Sequence, residues 1–207
     1  PLADAQGATL HEHRGYRFAL FPKQAGRAPE LDSPDTLRWL GRFLGRIHAV
    51  GALRPFKHRP QIDIASFGTA PARFVVEHEF VPADLEASYQ AITRDALERV
   101  AQCYERAGAV RNIRLHGDCH AGNILWSGQG PHFVDLDDCR SGPAVQDLWM
   151  LLSGDAAMMS VQLAHVIGGY REFCDFNPSQ LNLVEALRTL RMIHYAGWLA
   201  SRWMDPA

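Results

Sequence analysis

The chain is short of cysteine, of charge of one sign and of long apolar runs, and each shortage excludes something. Its four cysteines, Cys103, Cys119, Cys139 and Cys174, form no C-x-x-C pair and no compact zinc spacing. Neither a disulfide framework nor a common zinc fold is written here, so reduced thiols in a cytoplasmic protein are expected. The formal net charge is −2 over 207 residues, without a basic stripe. That argues against nucleic acid or an anionic membrane as a partner. An anionic ligand would have to be held locally, by a metal ion and a few side chains. No apolar run reaches the length of a membrane span, and Pro1-Leu-Ala-Asp-Ala-Gln-Gly7 lacks a basic-then-apolar signal pattern. With 47% hydrophobic and 21% charged residues, a packed core is expected and disorder is not.

Large apolar residues alternate at Tyr16, Phe18 and Leu20, which predicts a strand over 15–21 that Pro22 ends. The first clear helix is predicted to start at Ser33-Pro34-Asp35, where Ser can cap, Pro suits the first turn and Asp favours the positive helix end. Leu37, Leu40, Phe43, Leu44, Ile47 and Val50 then recur at helical spacing up to Gly51. Residues 52–81, with Pro55, Pro60, Gly68 and Pro71, read as irregular. A long helix is expected from about Asp84 to Ala107. After it come a short strand around 113–116, a loop over 117–122 and a β-hairpin over 123–136. Helices are expected at about 143–153, 156–175 and 178–203, and the aromatic and Met residues there (Trp149, Met150, Met192, Trp198, Trp203) read as core. His11 and His13 read as surface residues. One strand, then helices, a small hairpin and more helices make an α+β fold with a mostly helical body.

The densest chemical signal is Leu115-His-Gly-Asp-Cys-His-Ala-Gly-Asn-Ile-Leu125, followed by Phe133-Val-Asp-Leu-Asp-Asp138. It sets Asp118, Asn123 and Asp135 on two short strands and the loop before them. A phosphoryl-transfer site needs one carboxylate to hold the attacking hydroxyl and oxygen ligands to hold magnesium. Asp118 suits the first task, although a lone turn Asp more often bonds its own backbone. Asn123 offers a neutral hard-metal oxygen at a strand start, where Asn is otherwise depleted. Asp135, read inside a strand, would be costly without a cation; a salt bridge to a buried Arg is the alternative. Asp137 would share the face of Asp135 if the strand continued, as a further ligand or an acceptor behind it. His120 could touch a transferring phosphoryl group. A zinc reading would take His116, Cys119 and His120, at a spacing that fits no common site. Gly117 and Gly122 would supply backbone angles that other residues resist. Asp147, in Gly-Pro-Ala-Val-Gln-Asp-Leu-Trp149, is either a helix-dipole charge or a buried acceptor that braces the catalytic loop.

The string His116-Gly-Asp-x-His-x-Gly-Asn123, then Asp135, resembles the aminoglycoside-phosphotransferase and choline-kinase group of protein-kinase-like folds. Phe133-Val-Asp-Leu-Asp-Asp138, the stretch around Asp147 and the Gly41-Arg-Phe-Leu-Gly-Arg-Ile-His48 helix extend the likeness along nearly the whole chain. The resemblance implies an ATP-dependent, cytoplasmic Ser/Thr protein kinase of bacterial stress response, expected to be a monomer, with ATP as co-substrate and Mg2+ as cofactor. A kinase for a small hydroxyl substrate (aminoglycoside, choline or homoserine type) and a non-catalytic kinase-like module are the alternatives. Carried over by position, Asp118 is the base, Asn123 and Asp135 bind Mg2+, and the strand ending at Phe21-Pro22 is the hinge where adenine docks. Pro22 has no N–H, so Phe21 would supply the donor. Such kinases carry a Gly-rich loop and an ATP-pairing Lys in an N-terminal lobe; no Gly-rich loop precedes residue 15 and no Lys precedes Lys23. The expectation is therefore a C-terminal lobe cut at both ends. Residues 1–24 would be the end of the N-terminal lobe and hinge, and 25–207 the helical lobe, nearly inactive alone.

Overall fold

The computed structural model describes residues 1–205. Its elements in order are β1 (His11–His13), β2 (Tyr16–Phe18), α1 (Pro34–Gly51), α2 (Ala70–Glu77), α3 (Ala83–Ala107), β3 (Asn112–Leu115), β4 (Ile124–Ser127), β5 (Gly130–Phe133), β6 (Arg140–Pro143), α4 (Val145–Trp149), α5 (Ala156–Tyr170) and α6 (Val184–Ser201). The strands form three antiparallel pairs, β1–β2, β3–β6 and β4–β5. The α+β expectation holds. Among the described residues no helix is long and apolar enough to cross a membrane.

Local chemistry explains most of the boundaries. Ser33 caps α1 by accepting from Thr36 N–H at 3.4 Å, with Pro34 in the first turn. The apolar stripe of α1 packs on α5 and buries Leu37, Leu40 and Leu44 in one core with Val166, Tyr170, Leu187 and Leu190. α1 and α5 come so close that glycine is required. A Cβ on Gly41 would lie 2.0 Å from the Val166 carbonyl oxygen, and one on Gly169 would lie 2.0 Å from that of Arg38. Gly169→Ala would gain about 1 kcal/mol of helix propensity. The clash is with backbone of a packed helix and is expected to outweigh that gain, for a net loss of about 1–3 kcal/mol. A lowered urea midpoint checks this; an unchanged one would mean that the two helices can part without cost.

Several sequence expectations need correction. The first strand spans only residues 16–18, paired with a β1 that no apolar alternation signals; Arg14 and Gly15, both at positive φ, make the turn. Phe21 lies beyond it in extended chain, 64% exposed. Residues 52–81 are not irregular throughout. A π-turn over Ala65–Thr69 runs into α2, because Pro71 falls in a first turn, where proline is tolerated. The hairpin strands end at Phe133, not 136. β6, Arg140-Ser-Gly-Pro143, has no apolar alternation and lies outside the expected strands. The last helix begins at Val184, after a 3-10 stretch over Pro178–Leu183. Met192, Trp198 and Trp203 are exposed rather than core.

Candidate active site

The loop after β3 carries Asp118, and its backbone is fixed from behind. Asp147, in α4 and fully buried, accepts from His116 N–H at 2.8 Å and from Gly117 N–H at 2.9 Å. Its Oδ2 is also 2.9 Å from Nε2 of His48, an equally buried residue of α1 whose Nδ1 meets the Tyr170 hydroxyl at 3.1 Å. One buried carboxylate thus ties α1, α4 and the loop together. This is the bracing role, not a helix-dipole charge. Gly117 takes φ +88°, and a Cβ there would collide with the Asp138 carbonyl, so the loop needs glycine. Gly122 does not have a positive φ. The His120 ring passes over it, with Cε1 2.8 Å from where a Cβ would sit, so a larger residue there would push the ring aside.

His116 is buried and wholly engaged. Its Nε2 must donate to the Val134 carbonyl at 2.8 Å, which leaves Nδ1 to accept from Asp118 N–H at 3.4 Å. Cys119 is buried. Burial above all, then the Asp147 and Asp118 carboxylates, pushes its thiol well above the usual range. A neutral thiol and a fully bonded imidazole make poor zinc ligands, and among the described residues no group of three His, Cys, Asp or Glu side chains could hold a metal ion. The zinc reading fails on these grounds.

Asp118 keeps a largely buried carboxylate, 17% exposed. Asn123, at the end of a 3-10 turn, donates from Nδ2 to the Asp118 carbonyl at 3.0 Å and lies 3.4 Å from its Oδ2. That bond turns the amide so that its oxygen faces away as a free acceptor. His120 caps the same turn, its Nδ1 accepting from Gly122 N–H at 3.0 Å, and its Nε2 lies 3.5 Å from Asp118 Oδ2. The hairpin brings Asn123 and Asp135 to one end: Val134 N–H donates to the Asn123 carbonyl at 3.0 Å, and Ile124 pairs with Phe133. Asp135 takes the left-handed conformation (φ 60°, ψ 66°) where β5 turns into a 3-10 stretch over Leu136–Asp138, a conformation that Asp tolerates better than most residues. Its carboxylate is exposed and makes no hydrogen bond or ion pair among the described residues.

A free amide oxygen and a free carboxylate at one hairpin end are a donor set of hard oxygens that fits Mg2+, which keeps several ligands from water and phosphate. The same reasoning does not reach Asp137. The strand has ended, so the shared-face argument lapses. Asp137 is exposed in the 3-10 turn, and its carbonyl accepts from Arg59. Phe21 is not hydrogen-bonded to the cluster; its segment leads to Arg27, which bridges to Trp126 of β4.

Sequence reasoning missed two partners. His48 could have been found, since it continues the Leu37–Leu44 apolar stripe of α1 as a polar residue and so needs a buried partner, which Asp147 is. Arg191 of α6 could not; nothing in its helix marks it. Its Nη2 approaches Asp118 Oδ1 at 2.6 Å, an ion pair made off the line of a well-formed hydrogen bond.

Comparison with known proteins gives the family. Residues 3–181 match the phosphotransferase enzyme family. The chain is 45% identical over all 207 residues to stress response kinase A of Salmonella choleraesuis and to serine/threonine protein kinase RdoA of Salmonella typhimurium, and it spans 62% of the length of each. Among solved structures, amicoumacin kinase hAmiN in complex with AMP-PNP, Ca2+ and Ami superposes with a TM-score of 0.71 at 17% identity, over 95% of this chain and 63% of that one. That likeness establishes the protein-kinase-like fold. With the family match covering residues 3–181, most of its length, the chain belongs to the phosphotransferase enzyme family.

Proposed function

We propose that the protein to which this chain belongs is an ATP-dependent Ser/Thr protein kinase of bacterial stress response, that residues 25–207 form its helical catalytic lobe, and that 1–24 are the end of its N-terminal lobe and the hinge. The observation that carries the reading is Asp118: a carboxylate held in a loop locked by Asp147, beside an Asn123 whose amide oxygen is turned free. In this reading Asp118 accepts the proton of a Ser or Thr hydroxyl. The hydroxyl oxygen forms a bond to the γ-phosphorus of ATP, the bond from that phosphorus to the bridging oxygen breaks, and ADP leaves. Asn123 and Asp135 would hold Mg2+, which would supply positive charge against the phosphates of ATP. Asp137, exposed two residues after Asp135, would meet the ion through water. His120, its ring fixed by Gly122, presents an Nε2 proton toward the reacting oxygens. Phe21, whose N–H bonds to no described residue, supplies the adenine donor.

The names of the relatives support a protein substrate. A small-molecule substrate is the second reading, favoured by one feature: only eight residues separate Asp138 from Asp147, and four of them are strand β6, paired to β3. No long activation segment fits there. Incubating the intact protein with labelled ATP, a generic protein substrate and a panel of amino alcohols and aminoglycosides distinguishes the two. Label in protein alone is expected; label only in the small alcohols would overturn the reading. Asp135→Ala is expected to weaken Mg–ATP binding by about tenfold or more, read by calorimetry with and without Mg2+. Equal affinities for variant and wild type would remove Asp135 from the metal site.

A further inference from the structure

Asp118 opens into a cleft of about 180 Å³ whose walls include Phe67, Asp138, Arg140, Arg191, His194 and Trp198. Neither Asn123 nor Asp135 lines it, so it is the acceptor's side of the base rather than the nucleotide's. Apart from Tyr195, which stacks on Trp198 alone, its walls offer a cation few open groups. A bound amine needs an open aromatic face or a spare carboxylate. The Phe67 ring is already stacked by His194 at 4.0 Å and by the Arg140 guanidinium at 4.8 Å. Trp198 stacks with Tyr195 at 5.7 Å and lies under Arg202 at 4.7 Å. Of the two carboxylates, Asp138 is paired with Arg140 and Asp118 with Arg191.

The Arg191 pair is the informative one. Its guanidinium has no other partner among the described residues, and its contact with Asp118 is off-line. Oδ2 of Asp118 faces Asn123 and His120, so a hydroxyl entering from this cleft meets Oδ1; to use it as proton acceptor it displaces Arg191, and the freed guanidinium then lacks a counter-charge. Burial above all, with help from the Arg140 and Arg191 charges, holds the His194 pKa below its usual value, so His194 adds no positive charge and supplies no negative one.

We propose that Arg191 is a specificity-determining residue of the acceptor site, and that the acceptor is a hydroxyl compound with an anion beside its hydroxyl, a Ser or Thr flanked by an acidic residue. The anion takes Arg191 and leaves Asp118 Oδ1 free for the hydroxyl proton, so the ion pair admits the acceptor and keeps out amines. This inference rests on the reading of Asp118 as the base.

The test uses the intact protein, Mg–ATP and three peptides that differ only after the Ser (Asp, Gln or Lys), with glycerate and ethanolamine as small acceptors. Wild type is expected to favour the Asp peptide over the Lys peptide by about tenfold in kcat/KM, as one partly exposed charge pair allows. Arg191→Gln should bring that ratio to within about twofold of unity through a raised KM for the Asp peptide alone. Arg191→Lys should retain part of the preference, and Arg191→Glu should invert it. A wild-type ratio at or below one, or a ratio that Arg191→Gln leaves unchanged, overturns the assignment. An Arg191-dependent preference seen with glycerate but with no peptide would keep the Arg191 role and overturn the peptide. Phosphorylation of ethanolamine alone would overturn both the inference and the protein-kinase reading. Transfer that survives Asp118→Asn would overturn the base itself, whereas transfer that needs Asp118 but ignores Arg191 overturns only the inference.

Discussion

Replacing Asp118 with Asn is expected to slow phosphoryl transfer by about 10²–10⁴-fold while Mg–ATP binding stays near normal. The substitution keeps the size of the side chain and its place beside Asn123, whose main bond goes to the Asp118 backbone carbonyl rather than to the carboxylate. What it removes is the negative charge and the ability to take a proton. It also releases Arg191, which loses its ion-pair partner. The loss should therefore fall on kcat with the acceptor, and calorimetric titration with Mg–ATP should show little change. Near-normal turnover in the variant would end the assignment of Asp118 as base. A matching loss of nucleotide affinity would show instead that the loop had lost its shape.

The second large effect is expected at Asp147. Its carboxylate takes two backbone N–H groups of the catalytic loop and the Nε2 side of His48, all buried. Asp147→Ala strands these three groups. Each buried polar group left unpaired costs about 1–3 kcal/mol, and some relief comes from water entering the gap, so a net loss of about 3–5 kcal/mol is expected. For a chain of this length that corresponds to a melting temperature lower by roughly 10 °C. Activity should fall further than stability alone explains, because the loop carrying Asp118 is no longer pinned. Asp147→Asn keeps one acceptor oxygen but sets an NH2 against N–H donors, and should lie between the two. A melting temperature within about 1 °C of wild type for Asp147→Ala would mean that the brace contributes nothing.

The sequence marked where Asp118, Asn123 and Asp135 cluster more clearly than it marked the strands and helices around them. Asp118, Asn123 and Asp135 stood out by their spacing among short apolar strands, but the cost argued for Asp135 inside a strand lapses: it lies past Phe133 in a left-handed turn, exposed. α1 and α3 were legible because caps and apolar spacing agree over many residues; α3 runs from Ala83 to Ala107, against an expected start at Asp84. The failures have physical causes. β6 is a strand because β3 offers it a ladder, not because Arg-Ser-Gly-Pro prefers one. α2 was hidden by Pro71, a breaker that is harmless in a first turn. The two-residue periodicity used for Asp137 stopped at Phe133, since the left-handed turn at Asp135 resets the facing of residues 136–138. Trp198 and Met192 lie at helical spacing yet face outward, because spacing fixes a stripe but not what covers it. Arg191 was invisible because the pair it makes joins residues 73 positions apart.

The central claim is that Asn123 and Asp135 hold one divalent ion next to the phosphoryl group that Asp118 serves. It is tested most directly by locating a metal in a crystal of the intact protein grown with Mn2+ and a non-hydrolysable ATP analogue, using the anomalous signal of manganese. A single strong peak is predicted at about 2.1–2.2 Å from Asn123 Oδ1 and an Asp135 oxygen, with the terminal phosphate beside it and Asp118 facing that phosphate. A peak held by other residues, or a nucleotide bound with its phosphates away from Asp118, would contradict the account.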